Sequence, residues 1–551
     1  MNMRLLIAVI ISLLLMIFYQ YFFIKKPPQE TPTGKKEVVA NKEVEKARVA
    51  EELPLAGSGQ RRLREGVVYH DVVVDTPLYR ATFTTYGGRL KSWRLKGYKD
   101  KVQLDPLGKF VQNLVGGVFG HKNVQETPPQ LVDMVTTTRV EDAPLGIAFT
   151  EGKMGYDEGI PFTSSSEGMT LTRTGGTKTF IFRWKSPWGG EIEKRFTFYA
   201  DSYRMDMELV VSNPVNRGAV DDTLALEWAE EIEASSRYSF FGPIYYANGD
   251  FKQIKPKKIH AEGTVVQKVD WFGMEQNYFL ALVYPATQGT SLVLRRTPED
   301  IIQGDQITPL ALKPGDKKRI SYTLFLGPKD ADLLAQITPT AKKAASYGWF
   351  TFLAVPILKI LDFTHTFTGN YGLDIIILAV FLKIIFTPLT HKSQQSMKEM
   401  QKLQPEVKRL QQKYKDDKQA LNREIMELYK RRKVNPLGGC LPMLIQLPVF
   451  FALYRAFYGA IGLRHSPFIL WIKDLADKDP TYITPLLMGV TMYVQQKMTT
   501  VSADPAQAKM MAFMPIFFTF IFLSFPSGLV LYWLVTNVLA IGHQFYINSK
   551  Q

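Results

Sequence analysis

Hydrophobic positions fall into three textures along the 551 residues. Residues 5–24 are about 20 mostly apolar residues behind Arg4, long enough to span a bilayer. A cleaved signal peptide is the competing reading. It predicts a shorter apolar region and a small-residue cleavage site, whereas bulky "YQYFFIKKPP" follows here. The pattern therefore predicts an uncleaved anchor over 1–24. Residues 25–65 are charged, Pro-rich and almost free of aromatics, a flexible linker that buries no core. From about residue 66 the period becomes two. Runs such as "VVYHDVVVDTPLYRATFTTYGG" and "KRISYTLFLGP" are β-branched and aromatic, punctuated by Gly, Pro, Asn and Asp. They predict an all-β domain over 66–340, two packed antiparallel sheets, with Gly87-Gly88 as a tight turn.

The third texture is helical and apolar. Residues 347–370 read as an amphipathic helix lying in the membrane interface, with a short buried helix as the alternative. Five spans are expected over 371–389, 437–463, 482–498, 510–525 and 528–547, six with the anchor. "SFPSG" reads as the turn joining the last two into a hairpin. Several spans are short, which implies tilt or a thinned bilayer.

Charge orients this layout. Residues 391–433 carry thirteen Lys and Arg against six Asp and Glu, so the positive-inside rule puts this loop in the cytoplasm. The β domain then lies outside, and both termini are expected inside. Met397, Met400, Leu403, Val407, Leu410 and Tyr414 recur at helical spacing, as do Leu421, Ile425, Leu428 and Tyr429 beyond "YKDDKQ". This predicts a helical hairpin, with Pro405 in its first arm. Its basic face is either a binding surface or merely solvated. The net charge of +15 favours an anionic partner, and with several spans present anionic lipid is the simpler one.

Polar residues interrupt the spans. Lys383 lies in "IIILAVFLKIIFTPLT", about seven residues or roughly 10 Å from the cytoplasmic end. Two readings are open: a stem that snorkels to the headgroups, or a cation lining a wet cavity. Gln446, Thr491, Gln495, Gln496, Thr536 and Asn537 lie at depth in other spans. Such groups face a bundle interior, as interhelical hydrogen bonds or as cavity lining. Arg455 is near an outer end and reads as a snorkelling residue. Asp374, about nine residues before Lys383, is too far along the helix to be its partner.

Cys440 is the single cysteine, which excludes an intramolecular disulfide and a cysteine metal site. No P-loop, dinucleotide fingerprint, HExxH or nucleophile elbow occurs. No cofactor and no enzymatic activity are expected, and no nucleic-acid substrate.

Four stretches, "NPLGGCLPMLIQLPVFFALY", "PLLMGVTMYVQQKM", "FMPIFFTFIFLSFPSGLVLYWLVTN" and "FTPLTHKSQQSMKEMQKLQPEVKRL", resemble the YidC/Oxa1/Alb3 family of membrane protein insertases. With "TYGGRLKSWRLKGY" and "DWFGMEQNYFLALVYP" the resemblance covers nearly the whole chain and points to the Gram-negative bacterial branch. It implies a β-supersandwich periplasmic domain similar to galactose mutarotases and a five-helix insertase core in the inner membrane. It implies a hydrophilic groove lined by Lys383, Gln446, Gln496, Trp533 and Asn537, which attracts the acidic tail of a guest. Tyr532, Met488, Met492 and Phe513 would offer the greasy faces along which the guest's apolar span leaves. Lys408, Arg409, Lys413 and Lys415 of the hairpin would receive the substrate or ribosome. Nascent integral membrane proteins and the Sec translocon are the implied partners. The family's groove cation is usually arginine and here is Lys383; a threonine of some relatives is Ala379, and a frequent tyrosine is Trp533. The competing functions are a small-molecule transporter, which calls for inverted repeats that the spans do not show, and a membrane-tethered carbohydrate-binding or processing protein.

Overall fold

In strand Arg204–Ser212 every second side chain, Met205, Met207, Leu209 and Val211, is buried, as a sheet with one covered face requires. The computed structural model describes residues 63–103, 106, 109–110, 128–172, 176–231, 240–415, 417–432, 434, 441–499 and 505–549. The expected anchor and nearly all of the expected linker lie outside them.

Eighteen strands form two sheets among the described residues. The five-stranded sheet runs Leu131–Asp133, Arg89–Lys99, Tyr79–Thr84, Asp71–Asp75, Gly168–Thr170, antiparallel except for its last pair. The second sheet has thirteen strands, and its pairs are antiparallel throughout. One core joins both sheets, with Phe83 packed on Phe180, Phe196 and Phe198. The two-sheet expectation holds. Gly87 and Gly88 have φ of 60° and 58°, the conformation that a tight hairpin between adjacent strands needs.

Among the described residues eight α-helices follow: α1 (Ala331–Ala335), α2 (Thr351–Thr368), α3 (Tyr371–Lys413), α4 (Lys418–Arg431), α5 (Leu441–Gly459), α6 (Ile483–Thr499), α7 (Pro505–Phe522) and α8 (Ser527–Ser549). The span and the first hairpin arm, expected as separate elements, are one 43-residue helix, α3. It is roughly 65 Å long. Pro388 and Pro405 lie inside it without ending it. Asp417 caps α4, accepting from the Gln419 and Ala420 amides at 3.0 and 2.9 Å. Leu403, Val407 and Leu428 are buried between the arms, as their spacing predicts.

Among the described residues three helices are long and apolar enough to cross a membrane, Gly348–Thr368, Tyr371–Lys413 and Ser527–Tyr546, where six spans were expected of the whole chain. One of the three is the segment read as interfacial. Its exposed face mixes Phe352, Phe363 and Phe367 with Lys359 and Asp362. The α6 helix has 17 residues and spends several on Thr and Gln. In α7 the apolar stretch is Ala512–Phe522. The last two helices meet through Phe522 and Trp533, and α6 packs against both. The turn at Ser524–Gly528 is stapled to the loop between α5 and α6: Ser527 and Gly528 donate their amides to the Asp477 and Leu475 carbonyls at 2.7 and 2.9 Å.

Candidate substrate groove and its surroundings

Positions 379, 382, 383, 386 and 390 recur at three- and four-residue spacing and so share one face of α3. With Gln446 from α5 and Tyr532 and Thr536 from α8, that face encloses a cavity of about 40 Å³, room for about one water. Its floor is Ala379, Leu382, Phe386 and Leu389. Its hydroxyls are tied to their own helices: Thr390 donates to the Phe386 carbonyl and Thr536 to that of Tyr532, both at 2.8 Å. Their lone pairs remain acceptors. Among the described residues the Lys383 side chain has no ion pair and no hydrogen bond, and it is half-buried. A lysine at membrane depth costs about 2.5–3.5 kcal/mol on insertion scales, so its head must be met by water or by an anion.

Of the expected groove residues, the structure brings together Lys383 and Gln446, with Tyr532 beside them. The other three are elsewhere. Trp533 packs edge-on against Phe450 with centroids 5.3 Å apart and tilts onto Phe522 at the same distance. Asn537 is buried at the α8–α6 contact, its amide 3.4 Å from Thr491 Oγ1 and 3.5 Å from the Met488 carbonyl. Gln496 sits partly buried on α6. Met488 is fully buried beneath the Trp533 cluster, Met492 is half-buried, and Phe513 is exposed with Ile516 and Phe520 on one side of α7. Thr536, expected as an interhelical hydrogen bond or as cavity lining, does line the cavity; Thr390 and Phe386 line it although no role was expected of them, and their i, i+7 and i, i+3 relation to Lys383 was the available signal.

On the hairpin, Arg409 and Lys413 of α3 face Arg431 and Arg432 near the end of α4 across a groove of about 440 Å³ floored by Leu410 and Leu428. Glu406 pairs with Arg432 at 2.7 Å. Lys408 and Lys415 are exposed.

The β domain meets the helices through Arg464, which donates to the Lys99 carbonyl at 2.5 Å and lies 5.1 Å over the Phe279 ring. Beside this joint is a cavity of about 520 Å³ lined by Glu230, Gln276, Tyr278, Arg464 and Asp474, among others. Burial raises the Glu230 carboxyl to about 7 against hydrogen bonds from Gln276 and Trp228. Burial likewise raises Asp474 to about 6, and lowers His465, with help from the Arg464 charge, to about 4.

The sequence profile of the 60Kd inner membrane protein family matches residues 363–551, and that of the YidC periplasmic domain matches residues 120–360. The membrane protein insertase YidC of Syntrophus aciditrophicus (strain SB) is 42% identical over 488 residues, 87% of this chain and 85% of that protein. That of Geobacter metallireducens is 42% identical over 486 residues, 87% and 86% of the two. A crystal structure described as an active YidC insertase with the first transmembrane domain resolved aligns with 98% of this chain and 99% of its own at 18% identity and a TM-score of 0.38.

Proposed function

The chain belongs to the YidC family of membrane protein insertases, and from that footing we propose that the Lys383 cavity is where it captures the acidic tail of an incoming span. The protein is a multi-pass inner-membrane insertase and chaperone with a large periplasmic domain. The observation that carries the capture reading is a lysine, without an ion pair among the described residues, in a polar cavity with Gln446, Tyr532 and Thr536. A carboxylate entering there replaces the water that the cation otherwise requires. The guest's apolar residues then slide along the outward faces of α5 and α7, where Phe451, Phe513, Ile516 and Phe520 are exposed, and on into lipid. Apolar transfer drives this step at about 25 cal/mol per Å². An acidic tail crossing outward also gains about 2.3 kcal/mol per charge per 100 mV. No nucleotide is needed.

In this reading the core is 371–551 and has five spans, α6 and α7 among them, with the anchor 1–24 as a sixth. Short spans with polar faces suit a groove that thins the bilayer around it. The segment 347–370 lies along the outer interface, and both termini are cytoplasmic. Trp533, Gln496 and Asn537 hold α6 and α7 against α8 and shape the groove from behind. The basic hairpin receives the nascent chain or the ribosome and touches anionic lipid. The Sec translocon shares larger substrates.

The test is reconstitution of the full-length protein, carrying a photocrosslinker at position 446 beside Lys383, in liposomes with a single-span guest that bears an acidic tail. Insertion with tail adducts at 446 is expected. Insertion no faster than in protein-free liposomes, without adducts, would sink the proposal.

A further inference from the structure

Two turns beyond Thr536 on the same face of α8 stands His543, on the cytoplasmic side of the cavity. His391 stands one turn before Gln394 on α3, and Gln394 is hydrogen-bonded to Gln544, the residue after His543. The seam between α3 and α8 at this level is polar. Gln394 Nε2 donates to Gln544 Oε1 at 2.7 Å, and Ser393 and Gln544 are both buried. Two buried polar atoms there, His543 Nδ1 and Gln394 Oε1, have no hydrogen-bond partner among the described residues. Buried polar atoms are almost always satisfied, and an orphan calls for a reason.

We propose that His543, with His391, forms a second carboxylate-binding station between the cytoplasm and Lys383. A guest's acidic tail meets the histidines first and Lys383 second. Imidazole suits the task because it offers an N–H to a carboxylate in either protonation state. It holds the tail without the full desolvation cost of another permanent cation. The inference rests on the reading of Lys383 as the capture site.

The spacing makes it specific. His391 is eight residues past Lys383, about 12 Å along α3. An extended peptide covers that distance in three or four residues at about 3.3–3.6 Å each. Guests with two carboxylates three or four residues apart therefore engage both stations at once, and guests with one carboxylate use them in turn.

The experiment uses the full-length protein in liposomes, with a photocrosslinker at 540, one turn before His543, at 446 beside Lys383, or at 538; Val538 is exposed on another side of α8. The guest tail carries either one carboxylate or two that are four residues apart. Adducts at 540 and 446 but not at 538 are expected. His543→Ala should lower insertion of the two-carboxylate guest about three- to tenfold, the range of one hydrogen bond, and that of the one-carboxylate guest by less. His543→Gln, which keeps an N–H donor, should restore most of the loss. Tail adducts at 446 with equal losses for both guests, or with adducts at 538 as strong as at 540, would overturn the second station and spare the first. No tail adducts at 446 would overturn the Lys383 reading and this inference with it.

Discussion

Thr368, the last residue of α2, donates its hydroxyl to Asp374 Oδ1 at 2.6 Å, in the first turn of α3. The other carboxylate oxygen lies 2.9 Å from His365 Nδ1, and the His365 ring stacks on Tyr371 with centroids 3.8 Å apart. Only Gly369 and Asn370 separate the helices. Gly369 has φ of 60° and ends α2, while Asn370 Oδ1 accepts from the Gly372 amide at 2.9 Å and starts α3. A fully buried carboxylate thus fixes the angle at which the aromatic helix leaves the long span.

Asp374→Ala removes the acceptor of two groups at once. A loss of about 1–3 kcal/mol is expected at this joint. Asp374→Asn keeps an acceptor for Thr368 and should cost less. Limited proteolysis of the full-length protein in detergent, read at the 369–370 connection, checks it: faster cleavage in the alanine variant than in the asparagine variant is expected.

A second buried charge cluster ties the two sheets together. Arg89 is 1% exposed. It donates Nε to Glu158 at 2.6 Å, Nη1 to the Ala143 carbonyl at 2.6 Å and Nη2 to Glu227 at 2.7 Å. Lys194 beside it donates to the Gly87 and Leu145 carbonyls at 2.5 and 2.7 Å, and burial, then the Arg89 charge, lowers it to about 7. Arg89→Ala leaves Glu227 buried without its cation, a loss of about 3–5 kcal/mol. Arg89→Lys should not rescue it, because one ammonium cannot serve three acceptors in a fork. Arg89→Met with Glu227→Gln should lose less than Arg89→Ala alone. Denaturant unfolding followed through the buried Trp93, Trp184 and Trp228 measures all four proteins.

Glu230 gives the β domain a pH dependence of definite sign. Its carboxyl is raised from 4.5 to about 7, so between those values the folded chain holds a proton that the unfolded chain has lost. The stabilising contribution is therefore full below 4.5 and lost as pH rises through about 7, at most about 3 kcal/mol. Asp474, raised to about 6, acts in the same direction; His465, lowered to about 4, acts in the opposite one between 4 and 6.5. The difference between wild type and Glu230→Gln isolates Glu230. Wild type should lose stability relative to the variant from pH 5 to 8, and a flat difference across that range would refute the assignment.

The sheets were legible because a half-buried strand writes its burial as alternation, as Met205, Met207, Leu209 and Val211 do. The hairpin was legible for the same reason at period 3.6, through Leu403, Val407 and Leu428. The continuity of α3 was not. The span and the first hairpin arm read as separate elements, yet they are one helix with Pro388 and Pro405 inside it. Lys383 and Gln446 were legible as polar residues in apolar runs. Which of the remaining polar residues share their cavity was not, because that depends on how helices rotate against each other. Trp533 and Tyr532 are adjacent in sequence, and their side chains leave α8 about 100° apart, one into the aromatic cluster and one into the cavity. The buried clusters around Arg89 and Asp374 are built by contacts across the fold or across a chain reversal, which a linear pattern does not record.

Substitutions at Lys383 separate charge from geometry in guest capture. The cavity has room for about one water, so an arriving carboxylate meets the ammonium directly. At an effective dielectric of about 20, opposite charges 4 Å apart attract by about 4 kcal/mol before desolvation. Lys383→Arg keeps this and adds a planar fork that binds both carboxylate oxygens. It should insert acidic-tailed guests at least as well as wild type. Lys383→Met removes the attraction and should slow acidic-tailed guests about tenfold or more, with a smaller effect on neutral tails. Lys383→Glu turns attraction into repulsion and should be worst for acidic tails alone. Insertion into liposomes, measured for paired guests that differ only in tail charge, gives the ordering Arg, Lys, Met, Glu for the acidic guest if charge leads. Equal losses for acidic and neutral tails in Lys383→Glu would show instead that the residue shapes the cavity and does not attract the guest.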